Sequence, residues 1–130
     1  MSYNEFQRFL DSNYPDRKIS FAEKIYPKMK SIALDAWNAT YLKMDPKRFE
    51  HTFEIFGLDF MIDTSFNVNL IEVNTNPCLE LSSNLLSRII PTMLEHSLRL
   101  TLDVLFPPPA HYPNSQKHLV ADNPLERLQC

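Results

Sequence analysis

Gly57 is the only glycine in a chain of 130 residues that also carries ten prolines. Loops that wrap phosphate in backbone amides are built from several spaced glycines, so every fold organised around such a loop is excluded. If the chain handles a nucleotide, the phosphate grip in this sequence is incomplete. With 44% of residues hydrophobic and 12% aromatic, the chain has enough apolar surface to collapse as one domain or one piece of a larger one. Its 13 basic and 16 acidic side chains leave a net charge of −3, which argues against a nucleic-acid partner, since phosphate neutralisation needs a basic surface. No apolar run approaches the roughly 20 residues of a membrane-spanning helix. The opening stretch, MSYNEFQRFLDSNYPDRK, lacks the apolar segment of a secretory signal. Two cysteines, Cys78 and Cys130, make no disulfide framework, so a reducing, cytoplasmic interior is the expected compartment.

Hydrophobic spacing divides the chain. Tyr3 to Leu10 has a weak helical pattern, and Asn13-Tyr14-Pro15-Asp16 reads as a turn. Ser20 and Glu23 stand at capping-box spacing. From Ile25 through Met29, Ile32, Ala33, Ala36, Trp37, Thr40, Tyr41 and Met44, apolar side chains recur at steps of three and four, the stripe of an amphipathic helix. Pro27 either kinks that helix or opens it at its first turn. The period then changes to two over residues 53–63 and 68–74, which predicts a β-hairpin across the loop Thr64-Ser65-Phe66-Asn67. Leu81 to Phe106 returns to helix, with Ser82 or Ser83 as its cap and Pro91 expected to kink or split it. Residues 1–109 form the structured part in this reading, and 110–130 a polar, flexible tail.

The hairpin carries the chemistry. If Asp63 pairs with Val68, uniform antiparallel pairing sets Gly57 opposite Asn74, Leu58 opposite Val73, Asp59 opposite Glu72, Phe60 opposite Ile71 and Met61 opposite Leu70. One face then gathers Leu58, Phe60, Ile62, Ile71 and Val73 for a helix to cover. The other gathers Gly57, Asp59, Glu72 and Asn74. Opposed carboxylates on one sheet face repel, and a cation between them removes that cost. Three hard oxygen donors suit Mg²⁺ or Mn²⁺ and not zinc, and the remaining positions suit water and phosphate oxygens. Gly57, beside Asn74, leaves a gap through which phosphate could approach the backbone. The same pair also admits a second reading, as solvated acids paired with Lys or Arg from outside the hairpin.

Asp59 in FGLDFMID, followed by LIEVN and a proline-containing turn, resembles the tubulin–tyrosine ligase-like family of the ATP-grasp superfamily. The upstream run YPDRKISFAEKIYPKMK and the helix ending in LFPPP resemble the segments that flank this hairpin there, so the likeness covers about residues 3–109. The resemblance implies an α+β fold, a partial ATP-grasp domain with an antiparallel hairpin packed between helices, forming the C-terminal portion of the catalytic domain. It implies that Asp59, Glu72 and Asn74 hold Mg²⁺ (or Mn²⁺) against the phosphates of ATP, and that Ile71 lines the adenine pocket beside Glu72 and Asn74. It further implies ATP-dependent attachment of tyrosine, glutamate or glycine to tubulin through an acyl phosphate, at microtubules in the cytoplasm, cytoskeleton or cilium. No side-chain nucleophile is required for that chemistry. A complete member is several times longer, so the isolated chain is expected to be inactive. The alternatives are another carboxylate–amine ATP-grasp ligase, or a non-catalytic interaction module that kept the fold.

The remaining candidates are weaker. His51 and His96 read as ordinary surface or capping residues, and His111 and His118 fit no metal-site spacing. Nothing in the sequence activates Cys78, which reads as a small buried or half-buried residue. Lys24, Lys28, Lys30, Lys43, Lys47 and Arg48 read as solvated charges, with contact to an acidic tubulin tail as the functional alternative. Thr75 and Asn76 follow the ligand pair and could offer backbone groups to substrate. The apolar stripes exceed what a two-stranded sheet can cover, which predicts association or poor solubility of the isolated chain.

Overall fold

The structure is a computed structural model that describes residues 1–50 and 52–109. It divides into two units, Met1–Cys78 and Leu79–Cys130. The expected tail 110–130, with His111, His118 and Cys130, lies outside the described residues, as does His51.

In the first unit, helix α1 spans Tyr3–Asn13. Its start is a reciprocal capping box that the sequence reading passed over. Ser2 Oγ accepts from the Glu5 amide, and the Ser2 amide donates to Glu5 Oε2 at 2.6 Å, so two free helix-start donors are satisfied. That contact holds the Glu5 carboxyl below its usual range. A 3₁₀ turn at Pro15–Arg17 occupies the predicted turn. Gln7 then fastens the next segment to α1: its Nε2 donates to Ile19 O at 2.8 Å and its Oε1 accepts from Phe21 N at 2.7 Å. Ser20 Oγ accepts from the Glu23 amide at 3.2 Å, the forward half of the expected box. The turn it caps, Phe21–Ile25, is π-helical.

Helix α2 spans Tyr26–Met44 with Pro27 in its first turn, where a missing N–H costs nothing; of the two roles left open for Pro27, it opens the helix. Asp45 ends it, as the Asp45-Pro46 pair implies. Strand β1 (Gly57–Ile62) pairs antiparallel with β2 (Val68–Asn74), and α2 packs against β2. β1 begins later than the alternating pattern from residue 53 predicts, because Gly57 already faces Asn74, the last residue of its partner. The loop is also one residue longer. The Asp63 amide donates to Asn67 O at 3.0 Å, so Asp63 does not pair with Val68.

The pairing corrects the uniform register. Gly57, Leu58 and Asp59 face Asn74, Val73 and Glu72 as expected, but Phe60 faces Leu70, Met61 faces Asn69 and Ile62 faces Val68. Ile71 is therefore an extra residue, a β-bulge. The reason is burial. Val68 (7% exposed) is in the core and Leu70 is half-buried, whereas Ile71 is 55% exposed. In a strict alternation Val68 and Leu70 would share the face of Glu72 and Asn74. One inserted residue shifts the phase, so that Val68, Leu70 and Val73 lie with Leu58, Phe60 and Ile62, while Glu72 and Asn74 stay with Asp59.

The buried cluster is Leu10, Ile19, Ile25 and Val68, with Phe6, Phe21, Met29, Ile32, Phe60, Ile62 and Phe66 packed on it. It gathers at the loop end of the hairpin. Edge-to-face contact of Tyr14 with Phe66 (5.0 Å) and stacking of Tyr3 on Phe21 (5.0 Å) extend it. Much apolar surface stays outside: Leu34, Trp37 and Leu42 on α2 are each about half exposed.

In the second unit, α3 runs Leu86–Leu105. It starts later than Leu81, where Ser83 Oγ accepts from the Leu86 amide at 3.2 Å, and it continues unbroken through Pro91, so the helix is not split. Glu95 and Arg99, one turn apart on it, form an ion pair.

Candidate metal centre

The end of the ribbon away from the loop brings three side chains together. Asp59 and Glu72 face each other across the strands. Asn74, two residues along β2 from Glu72, aims its side-chain amide at both: Nδ2 is 3.2 Å from Asp59 Oδ2 and 3.1 Å from Glu72 Oε1. Two like charges on one sheet face are thus bridged by a neutral donor. Turning that amide about its last bond would present Oδ1 at the same place, giving a third oxygen donor. Asp59 and Glu72 are exposed and Asn74 is half-buried, so the point where they converge is open to water and to phosphate oxygens, the company Mg²⁺ keeps. Among the described residues no group of three His, Cys, Asp or Glu side chains could hold a metal. The cluster reaches three donors only through the amide of Asn74.

The bulge decides where the fourth predicted residue goes. Ile71 stands immediately before Glu72, exposed and outside the regular ladder. The opposite face of this ribbon end, Leu58 with Val73, lines an apolar cavity of about 440 Å³ against α2, together with Trp37, Met44 and Phe56. Ile71 is not among its walls. Trp37 and Phe56, whose rings lie 6.4 Å apart, were not singled out from sequence as site neighbours. The only signal was the apolar stripe of α2 for Trp37 and the alternating run from residue 53 for Phe56, and each reads equally as core.

Gly57 proves to serve a neighbour in the chain. A methyl group at this position would lie 3.0 Å from Cβ of Pro77 and 3.6 Å from Cβ of Asn74. The gap expected beside Asn74 is therefore occupied by Pro77. Cys78, next to this inward-turned proline, is exposed and free, which corrects its expected burial. Lys30 lies over the Tyr26 ring at 5.1 Å and Lys47 over Phe49 at 5.7 Å, so two of the six cations are held on aromatic faces. Among the described residues no helix is long and apolar enough to cross a membrane.

Comparison with known proteins gives this geometry a context. Tubulin glycylase 3D of Tetrahymena thermophila is 34% identical over 83 residues, 64% of this chain and 8% of its own length. Tubulin glycylase 3A of Drosophila melanogaster is 35% identical over 92 residues, 71% of this chain and 9% of its own. The human protein described as inactive polyglycylase TTLL10 is 34% identical over 76 residues, 58% of this chain and 11% of its own. The chain thus spans about a tenth of the length of these curated relatives. No solved structure matches it. The model of the family described as "Tubulin-tyrosine ligase family" matches residues 2–113, from the cap of α1 past the end of α3, and with that coverage the chain belongs to the tubulin–tyrosine ligase family.

Proposed function

We propose that the hairpin is the metal-binding part of an ATP-dependent ligase of the ATP-grasp type that joins an amino acid to tubulin. The observation that carries this reading is the convergence of Asp59, Glu72 and Asn74 through one amide nitrogen. In it, Asp59 and Glu72 supply two anionic oxygens and Asn74 a neutral one to Mg²⁺ or Mn²⁺, and Ile71 borders the nucleotide. Bound there, the ion would offset the negative charge of the phosphates as the terminal phosphoryl group leaves ATP. That group passes to a carboxylate oxygen, and the amine of the second substrate then displaces phosphate to form the amide. This chain's own contribution is to hold the carboxylates at fixed separation on paired strands and to leave their outer side open. Glycine is the first amino acid to test, since the relatives named above are described as glycylases. The setting would be cytoskeletal or ciliary.

The chain spans about a tenth of its relatives, and in our reading residues 1–109 bind metal but do not complete a turnover by themselves. Incorporation of radiolabelled glycine, glutamate or tyrosine into tubulin by the purified chain should match a Glu72→Ala control. Incorporation above that control overturns the claim of inactivity. A second reading is favoured by the relative described as inactive: a non-catalytic module that retains the fold. Affinity for a non-hydrolysable ATP analogue decides between them. A rise with Mg²⁺ supports the ligase site, and no response to Mg²⁺ supports the module.

A further inference from the structure

We propose that Gly57 and Pro77 form a clasp that positions Asn74, so that the amide of Asn74 points at Asp59 and Glu72. This rests on the metal-site reading for its consequence but not for its geometry. Gly57 has no positive φ, so its backbone places no demand for glycine; the demand comes from space. The spot that a side chain at 57 would fill lies 3.0 Å from Pro77 Cβ, tight enough that the proline must shift by a few tenths of an ångström to admit it, and at an ordinary contact distance of 3.6 Å from Asn74 Cβ. Gly57 is also the strand partner of Asn74. The chain leaves β2 at Asn74 and comes back through Thr75 and Asn76 to set Pro77 over Gly57. Both Pro77 and Asn74 are half-buried there, while Thr75, Asn76 and Cys78 are exposed. A side chain at 57 would make ordinary contact with the root of Asn74 but would press on Pro77, and through it on the short turn that leads back to Asn74. Gly57 and Pro77 touch neither carboxylate in this account; they act only through Asn74.

Three variants of the 130-residue chain test this by two readouts, the side-chain amide signals of Asn74 in ¹H–¹⁵N spectra and the affinity for Mn²⁺. Asn67 supplies the control, since its Nδ2 donates to Asp63 at 2.9 Å in the hairpin loop. Gly57→Ala should move the Asn74 amide signals toward those of a solvated asparagine, leave those of Asn67 in place, and weaken Mn²⁺ binding on the order of 10-fold. Pro77→Gly alone uncovers the same spot and should broaden the Asn74 signals, again without moving Asn67. The double variant should recover both readouts. It removes the Cβ that clashes, and the new methyl then meets the backbone Cα of residue 77, 3.9 Å away in the present geometry. Asn74 signals and Mn²⁺ affinity unchanged in both single variants, or a double variant no better than Gly57→Ala, overturn the clasp. If Gly57→Ala unfolds the chain, the Asn67 signals are lost as well, and Pro77→Gly then decides alone. A parent chain that binds no Mn²⁺ sinks the metal reading, while the Asn74 signals still decide the clasp.

Discussion

Asn74 and Asp59 sit on different strands, fifteen positions apart in sequence, with Nδ2 of one 3.2 Å from Oδ2 of the other. The same nitrogen lies 3.1 Å from Glu72. A single amide therefore relieves a repulsion that the strand pairing creates, and it does so at the point where a cation would do the same more strongly.

Asn74→Asp should separate the two. Without metal, a third negative charge on this face replaces the bridging donor and lowers the melting temperature. With Mn²⁺ present, the added anionic ligand should tighten binding and raise the melting temperature above that of the parent. Thermal scans with and without Mn²⁺ read both signs, and equal scans would argue against an ion at this site.

Glu72→Gln keeps the size of the side chain and removes one charge. Mn²⁺ affinity, read by the loss of the free-ion paramagnetic signal, should fall on the order of 10-fold or more. The far-ultraviolet circular dichroism should not change, because Glu72 is exposed and contributes nothing to the core.

Deleting Ile71 tests the bulge. The shortened strand pairs without interruption and still keeps Val68, Leu70 and Val73 on one face and Glu72 and Asn74 on the other. The variant should fold and melt cooperatively and keep its Mn²⁺ affinity. Binding of an ATP analogue should weaken, if Ile71 borders the nucleotide as proposed. Loss of folding would mean that the extra residue holds the sheet together.

Ile25 is fully buried in the cluster with Leu10, Ile19 and Val68. Ile25→Ala should cost about 2–5 kcal/mol, read from urea unfolding followed by circular dichroism. So small a cluster has little to spare.

Asp63 accepts from the amides of Ser65 and Asn67 and from Asn67 Nδ2 at 2.8 to 2.9 Å. The Asn67 bonds first, then that from Ser65, hold its carboxyl below the usual value. A depressed folded-state pKa contributes stability that is present above the unfolded-state pKa and disappears as pH falls through the folded one. The loop should therefore loosen on the acid side of the ordinary carboxylate range, and Asp63→Asn should remove that dependence. Amide exchange at Ser65 and Asn67, followed against pH, measures it.

How far the residues announced this arrangement depends on the kind of signal. The opposition of Asp59 and Glu72 was legible because both ends of the local pattern agree: Leu58 with Val73 and Gly57 with Asn74 fit one alternation. The bulge was written in the sequence as well. In VNLIEVN the apolar positions change parity between Leu70 and Ile71, which uniform pairing cannot satisfy on one face. The π-helical turn at Phe21–Ile25 has no comparable mark, since its hydrophobic spacing fits an ordinary helix start. Pro77 over Gly57 is a contact through space, and only the rarity of glycine in this chain hinted that position 57 had a neighbour to admit. The cap at Ser2 was as legible as that at Ser20, since Glu5 stands three residues on and Tyr3, Phe6 and Leu10 recur at helical steps.

Ile71 has a bearing on how relatives of this chain should be aligned and engineered. Inward and outward positions counted from the acids are valid only as far back as that residue, and beyond it the parity reverses. A designer who seeks a more soluble ribbon by polar replacement should therefore choose Met61, across from Asn69, and leave Leu70 untouched, although simple counting from Glu72 would recommend Leu70 as well.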